Sequence, residues 1–201
     1  KEQSTNYLEF SISVIIPVMN DWDNLHQVLQ ELDCQILKPR EIIVVDSSSD
    51  NVIKNSLSKF NTNISIKYLR AGKAFFADRF FIKYFKFFLR DKSLAGRAYP
   101  YEATNKGVKI ARSEWVAFLD SSTNPSDNWL SDCSKTIYEK NLDLIIGKTK
   151  YLASTKFQHL LRACTYGAHS HETMPGSIIK KKLYLDNFHI REGVRAGGDV
   201  E

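Results

Sequence analysis

The chain is constrained most by a kind of strand that it uses repeatedly. Residues 116–119, Val-Ala-Phe-Leu, are apolar at every position and deliver Asp120 into a Ser/Thr/Asn/Pro loop that leads to a helical pattern. A strand with no polar alternation must be covered on both faces, as the strands of parallel sheets are. Ile12–Val18 (ISVIIPV) and Glu41–Asp46 (EIIVVD) are of the same kind. Between these runs the apolar period becomes helical. After the first, Leu25, Val28, Leu29 and Leu32 recur at i, i+3, i+4 and i+7, with Asn20, Asp21 or Asp23 available as N-cap. The alternation predicts a second helix over 51–60, a third strand over 64–69 and a helix face from Ala103, Gly107, Val108 and Ala111. It then predicts a fourth strand over 114–120, a helix over 127–140 carrying Leu130, Cys133 and Ile137 inward, and a fifth strand over 142–147. Strand and helix in regular alternation predict an α/β fold, a Rossmann-like, mostly parallel sheet flanked by helices.

Parallel strands point their carboxyl ends one way, and open α/β sheets bind ligands in the crevice outside those ends. Asp46 and Asp120 each end such a strand. One Asp after a strand is commonly a turn cap. Two in matching positions favour a shared crevice, where carboxylates hydrogen-bond a base or ribose or hold a divalent cation on a diphosphate.

The bounds agree with this. A chain of 201 residues with 43% apolar content buries one sizeable core, so 1–201 reads as a single domain. Cys34, Cys133 and Cys164 are odd in number and have no metal-ligand spacing, which fits a reduced compartment and no disulfide framework. No run of about eighteen apolar residues occurs, and KEQSTNYLEF has no signal-peptide pattern, so a soluble or peripheral cytoplasmic protein is expected. The net charge of +5 is concentrated: residues 67–97 hold nine Lys/Arg against Asp78 and Asp91.

Four segments in order resemble the inverting family 2 glycosyltransferases of the GT-A fold, over nearly the whole chain. SVIIPVMN is similar to that family's first strand, with Met19 where an aromatic is usual; EIIVVDSSSD is similar to its second motif. EATNKGVKIARSEWVAFLDSSTNP resembles the helix and Asp-X-Asp segment, and REGVRAGGDVE the terminal motif that carries the catalytic base. The resemblance implies a nucleotide-sugar site formed by Pro17, Val18, Met19, Asn20, Asp46, Arg97, Asn105, Asp120 and Ser122, with Asp46 reading the base. It implies Asp199 as the general base, preceded by Gly198 where a second acidic residue is usual. It implies a UDP-sugar by preference as donor, a saccharide or lipid-linked acceptor, and Mn2+ or Mg2+ held by Asp120. Ser122 replaces the second acidic residue of Asp-X-Asp and is a poorer ligand for a hard cation. Arg97 and Lys106 are alternative means of neutralising the diphosphate. His169 and His171, which share a face if extended, are another route to a metal site.

The chemistry so implied is one displacement at the anomeric carbon, with an ionised Asp taking the acceptor hydroxyl's proton and cations stabilising the departing diphosphate. The competing reading, motivated by Ser122 and Gly198, is a degenerate glycosyltransferase-like module that binds a membrane or protein partner without turnover.

Residues 71–97 read as an insertion relative to that family. Seven of the chain's twelve Phe lie between Phe75 and Phe88. On a helix at about 100° per residue, Arg79, Lys83, Lys86 and Arg90 fall within roughly 60° of arc. The remaining circumference carries Phe80, Phe81, Phe85 and Phe88 with other apolar residues, an unusually wide apolar face. Three readings stay open: a helix lying on an anionic membrane surface, in polysaccharide or glycolipid synthesis; a helix packed against a partner protein or a further C-terminal region; and ordinary core with the cations on its one exposed stripe. Stacking sites for nucleic acid mix aromatics with cations, and here the two are segregated, so no nucleic-acid partner is expected. Glu201 follows Asp199 by two residues. An active-site motif is ordinarily supported by further structure, so the chain is expected to be C-terminally incomplete.

Overall fold

The computed structural model describes residues 10–48, 50–71, 100–164 and 170–188. Its strands are β1 (Ile12–Val18), β2 (Glu41–Asp46), β3 (Ser65–Arg70), β4 (Trp115–Phe118), β5 (Leu144–Thr149) and β6 (His171–Lys180). The helices among them are α1 (Trp22–Cys34), α2 (Val52–Leu57), α3 (Pro100–Ile110), α4 (Trp129–Lys140), α5 (Lys156–Cys164) and α6 (Lys181–Asn187). The six strands form one sheet in the order β3-β2-β1-β4-β6-β5. β1 pairs in parallel with β2, placing Val18 opposite Asp46, and with β4, placing Ile15 opposite Phe118. β6 runs antiparallel to both β4 and β5, so β5 points the same way as β1 to β4.

The continuous apolar runs are explained by cover on both faces. In β1, Val14 and Ile16 pack with Leu25, Val28, Leu29 and Leu32 of α1, Ile53 of α2, and Leu130 and Ile137 of α4. Ile15 faces the other way, with Ile43, Val45, Ala103 and Val108 of α3 and Tyr184 of α6. Each fully buried Ile, Leu or Val contributes about 1.5–3 kcal/mol of transfer free energy. α3 lies close against the sheet because residue 107 is glycine: a Cβ there would sit 2.5 Å from Ile15 Cγ2 and 3.0 Å from Val45 Cγ2.

The amino ends of the strands are tied by a buried carboxylate. Glu41 Oε1 accepts from Ser13 Oγ at 2.8 Å and from the Arg112 amide at 2.7 Å, while Lys67 Nζ lies 2.6 Å from Oε2. Burial pushes this carboxyl up, but Lys67, the Arg112 amide and Ser13 outweigh it and hold the group below its ordinary value.

Every strand and helix predicted within the described residues is present, with ends shifted by a few residues; α2 is shorter, at 52–57. β6, α5 and α6 are additions to the sequence reading. HETMPGSIIK conceals a strand because Pro175 and Gly176 interrupt it. The interruption coincides with a register shift between Ile145 and Gly147, where a Cβ on Gly147 would lie 2.5 Å from the Pro175 carbonyl oxygen. The predicted helix with Arg79, Lys83, Lys86, Arg90 and its phenylalanines lies outside the described residues, as do Arg97, His169, Gly198 and Asp199.

Candidate active site

The chain runs from β1 outward to β2 and β3, then returns to place β4 on the opposite side of β1. β1 and β4 therefore flank the topological switch point of the sheet, the place where strands feed loops in opposite directions and leave a crevice. A crevice of about 1280 Å³ opens there, lined by Pro17, Val18 and Met19 at the end of β1, Ser47 after β2, and Asp120 to Ser126 after β4. Tyr101 and Thr104 of α3 close one side; Lys148 to Leu152 and Thr173 to Gly176 form the far wall.

Asp120 is exposed at this opening, with Ser121 and Ser122 beside it. Its loop is held at several points. Leu119 N donates to Ile15 O at 3.1 Å, and Thr123 N closes a turn on Asp120 O at 3.1 Å. Ser121 Oγ donates to Asp21 Oδ2 at 3.2 Å, joining this loop to the one after β1. At the loop's other end Gln35 Nε2 donates to Ser126 O at 2.7 Å, and Trp129 Nε1 to Gly176 O at 3.0 Å. A carboxylate on a loop fixed at both ends is preorganised toward whatever occupies the crevice.

The loop after β1 uses an unusual backbone. Asn20 adopts φ 54°, a left-handed conformation that Asn tolerates better than most residues. This turn lets Asn20 N donate to Ser48 Oγ at 2.8 Å. The first two strand-end loops are thereby coupled.

Asp46 is placed differently from Asp120. It is fully buried, and Ser47 is the neighbour that lines the crevice. Its Oδ1 accepts from Ser48 N at 2.7 Å; its Oδ2 accepts from Tyr68 OH and from Arg70 Nη1, each at 2.8 Å. Arg70 also donates to Ser48 O at 2.8 Å, Asp50 O at 2.5 Å and Asn51 Oδ1 at 3.0 Å. Asp46 and Arg70 thus brace the loop at the crevice edge. Burial, with Asp46 next to it, pushes the Tyr68 hydroxyl up to about 12, so it stays a donor.

Asn105 is also fully buried, its Oδ1 accepting from Tyr184 OH at 2.7 Å, while Thr104 and Tyr101 of the same helix reach the crevice. Lys106, an expected diphosphate neutraliser, donates to Ala71 O at 2.6 Å beyond the end of β3. His171 opens β6 opposite Thr149. Of the predicted site residues, Pro17, Val18, Met19, Asp120 and Ser122 are brought together on the crevice wall. Arg70 escaped the sequence reading, although its place at the end of a strand beside β2 is the signal that could have found it. Among the described residues no three His, Cys, Asp or Glu converge on a point. The donor set at the crevice fits a cation shared with an incoming diphosphate, since Mg2+-like ions are often held by one carboxylate and substrate phosphates.

The profile of glycosyl transferase family 2 matches residues 80–199, more than half of the chain. The chain belongs to glycosyl transferase family 2. It is 28% identical over 141 residues to the poly(ribitol-phosphate) beta-N-acetylglucosaminyltransferase TarP of Staphylococcus aureus, which covers 68% of this chain and 36% of TarP. Its fold resembles that of S. aureus TarS 1–349 with a TM-score of 0.64 at 20% identity, over 94% of this chain and 53% of that one. A second structural relative is the mannosyltransferase PcManGT of Pyrobaculum calidifontis, solved with GDP-Man and Mn2+, with a TM-score of 0.56 at 15% identity over 92% of this chain and 49% of that one. The sheet and its flanking helices are thus of the GT-A kind. The chain spans about a third to a half of the length of these relatives.

Proposed function

We propose that this family 2 chain is the donor-binding and catalytic part of a nucleotide-sugar-dependent glycosyltransferase that inverts the anomeric centre. The observation that carries the reading is Asp120, exposed on a doubly anchored loop at the switch point between β1 and β4. The nucleoside occupies the side lined by Pro17, Val18, Met19 and Ser47, whose loop Asp46 and Arg70 hold in shape. The diphosphate lies toward Asp120 and Ser122, and the sugar toward the β5–β6 wall. TarS has been solved with UDP-GlcNAc and PcManGT with GDP-Man, which supports a nucleotide-sugar donor; a UDP-sugar is favoured.

In the Mechanism so inferred, Asp199 takes the proton from the acceptor hydroxyl as that oxygen attacks the anomeric carbon and the nucleoside diphosphate departs from the opposite face. Asp120 is the residue that would hold Mn2+ or Mg2+, and the ion would supply charge neutralisation on the leaving diphosphate. Arg97 is a further cation for the same charge. The acceptor is a saccharide or a lipid-linked glycan at the cytoplasmic face of a membrane, as in polysaccharide or glycolipid synthesis. TarP, by its name, acts on a poly(ribitol-phosphate).

The test is calorimetric titration of the full protein with UDP-, GDP- and CMP-sugars, with and without Mn2+. One donor is expected to bind, and Asp120→Asn to weaken it at least tenfold. Absence of binding by all three overturns the reading. Asp199→Asn is expected to abolish transfer while leaving donor binding intact; unchanged transfer points to the degenerate module instead.

A further inference from the structure

Helix α5 is exposed on all sides, its apolar side included, with only Arg162 half-buried. At about 100° per residue, Phe157, Leu160, Leu161 and Cys164 fall within roughly 100° of arc, and no residue of the helix is buried. Phe157 is 72% exposed, Leu160 63% and Leu161 53%, and Leu152 just before the helix is 81% exposed. Scattered exposed hydrophobics are ordinary, but a continuous patch of large ones marks an interaction surface.

The helix is defined rather than frayed. Gln158 Oε1 accepts from Ser154 N and Oγ at 2.9 Å and from Thr155 N at 3.0 Å, while Gln158 N donates to Thr155 Oγ1 at 3.2 Å. This reciprocal arrangement is a capping box, which fixes a helix start. Arg162 Nη1 donates to Tyr151 O at 3.2 Å, tying the helix to the loop before it. The exposed apolar stripe is therefore a held geometry.

Charge identifies the occupant. Residues 144–171 contain Lys148, Lys150, Lys156 and Arg162 and no Asp or Glu. Two copies joined isologously through this face would bring the same cations together, which disfavours self-association. Large apolar side chains flanked by cations suit the boundary between acyl chains and anionic headgroups. Position adds a second reason: Tyr151, Leu152 and Gln158 line the crevice, so a surface touching α5 lies at the crevice mouth.

We propose that α5 and the loop 150–155 are the face by which the protein lies on an anionic membrane, presenting the crevice mouth to that surface. The proposal rests on the membrane-surface acceptor of the proposed function, but lipid binding is read without any sugar transfer. The test is flotation of the full protein with vesicles of phosphatidylcholine alone and with added phosphatidylglycerol. It compares wild type, Phe157→Glu/Leu160→Glu, Lys156→Glu, and Arg79→Glu/Lys83→Glu/Lys86→Glu/Arg90→Glu. Wild type is expected to float only with anionic vesicles. The Phe157/Leu160 variant should partition at least tenfold less while keeping its circular dichroism and its donor titration, and Lys156→Glu should partition several-fold less. Wild type that fails to float, equal binding to neutral vesicles, or a Phe157/Leu160 variant that binds as wild type overturns the proposal. So does loss of binding confined to the Arg79–Arg90 variant. Failure of donor titration by wild type bears on the proposed function and leaves the flotation result independent.

Discussion

Asp46 and Asp120 stand at the carboxyl ends of β2 and β4, the strands on either side of β1, yet their surroundings assign them different work. Asp120 is exposed, whereas Asp46 is buried against an arginine and two other donors. Removing the Asp46 charge leaves Arg70 with a partner missing, which for a hydrogen-bonded charged group costs about 2–3 kcal/mol. Asp46→Asn is therefore expected to lower the urea midpoint and to weaken donor binding through a loosened loop 47–51. Asp120→Asn, at an exposed position, should lower the midpoint less than Asp46→Asn does while weakening the donor, and equilibrium denaturation alongside calorimetry separates the two. The cysteines divide in the same manner. Burial, aided by Asp132, pushes the Cys133 thiol up to about 11, whereas Cys34 and Cys164 are exposed. In the native protein a thiol reagent at neutral pH is expected to label Cys34 and Cys164 quickly and Cys133 only on unfolding.

At the level of elements, two close contacts decide stability. Replacing glycine by alanine inside a helix ordinarily gains about 1 kcal/mol. At Gly107 the new Cβ would stand 2.5 Å from Ile15 Cγ2 in the centre of the sheet. Overpacking of that kind costs about 1–3 kcal/mol, so Gly107→Ala is expected to be neutral to destabilising and Gly107→Val to unfold the domain, as thermal denaturation will show. Glu41 ties β1, β2 and β3 at their amino ends. Its carboxyl is held below its ordinary value, so the folded state binds a proton less readily than the unfolded chain. The stabilisation is complete above the unfolded value of 4.5 and is lost as pH falls through the lower folded one. Glu41→Gln should remove about 2 kcal/mol at neutral pH and flatten the acid limb of the stability curve below that value. These elements also mark how far the sequence could be read. β1, β2 and β4 were legible because double cover leaves an unbroken apolar run. β6 was not, because Pro175 and Gly176 serve a bulge whose need arises only from its pairing with Gly147. Asp120 and the Pro17–Met19 turn were legible for a similar reason: a strand's carboxyl end is a position that sequence marks. The brace of Arg70 on Asp46 depends on which strands become neighbours, and the burial of Asn105 depends on Tyr184, 79 positions away.

For the molecule as a whole, a donor that binds only the folded state raises stability by mass action. At a hundredfold excess over Kd the gain is about 2.7 kcal/mol, and in a domain of this size about 1 kcal/mol moves Tm by about 2–4 °C. The cognate nucleotide-sugar is therefore expected to raise Tm by about 5–10 °C, a shift that a tenfold loss of affinity in Asp120→Asn should cut to about half at the same concentration. Differential scanning calorimetry with and without Mn2+ measures both effects.

The reversed strand also imposes an order of assembly. β5 leaves the ribosome before β6, but among the described strands it pairs with β6 alone. Until residues 171–180 arrive, β5 has no neighbour and β4 has an open edge. The β1–β2–β3–β4 half can form from its own parallel pairings, β2 with β1 and β3 and then β4 with β1, whereas the far wall of the crevice closes only when β6 inserts between β4 and β5. A nascent chain released before residue 171 would hold the β1–β2 side of the crevice, proposed for the nucleoside, while leaving the β5–β6 wall, proposed for the sugar, unbuilt, with two strand edges open to aggregation.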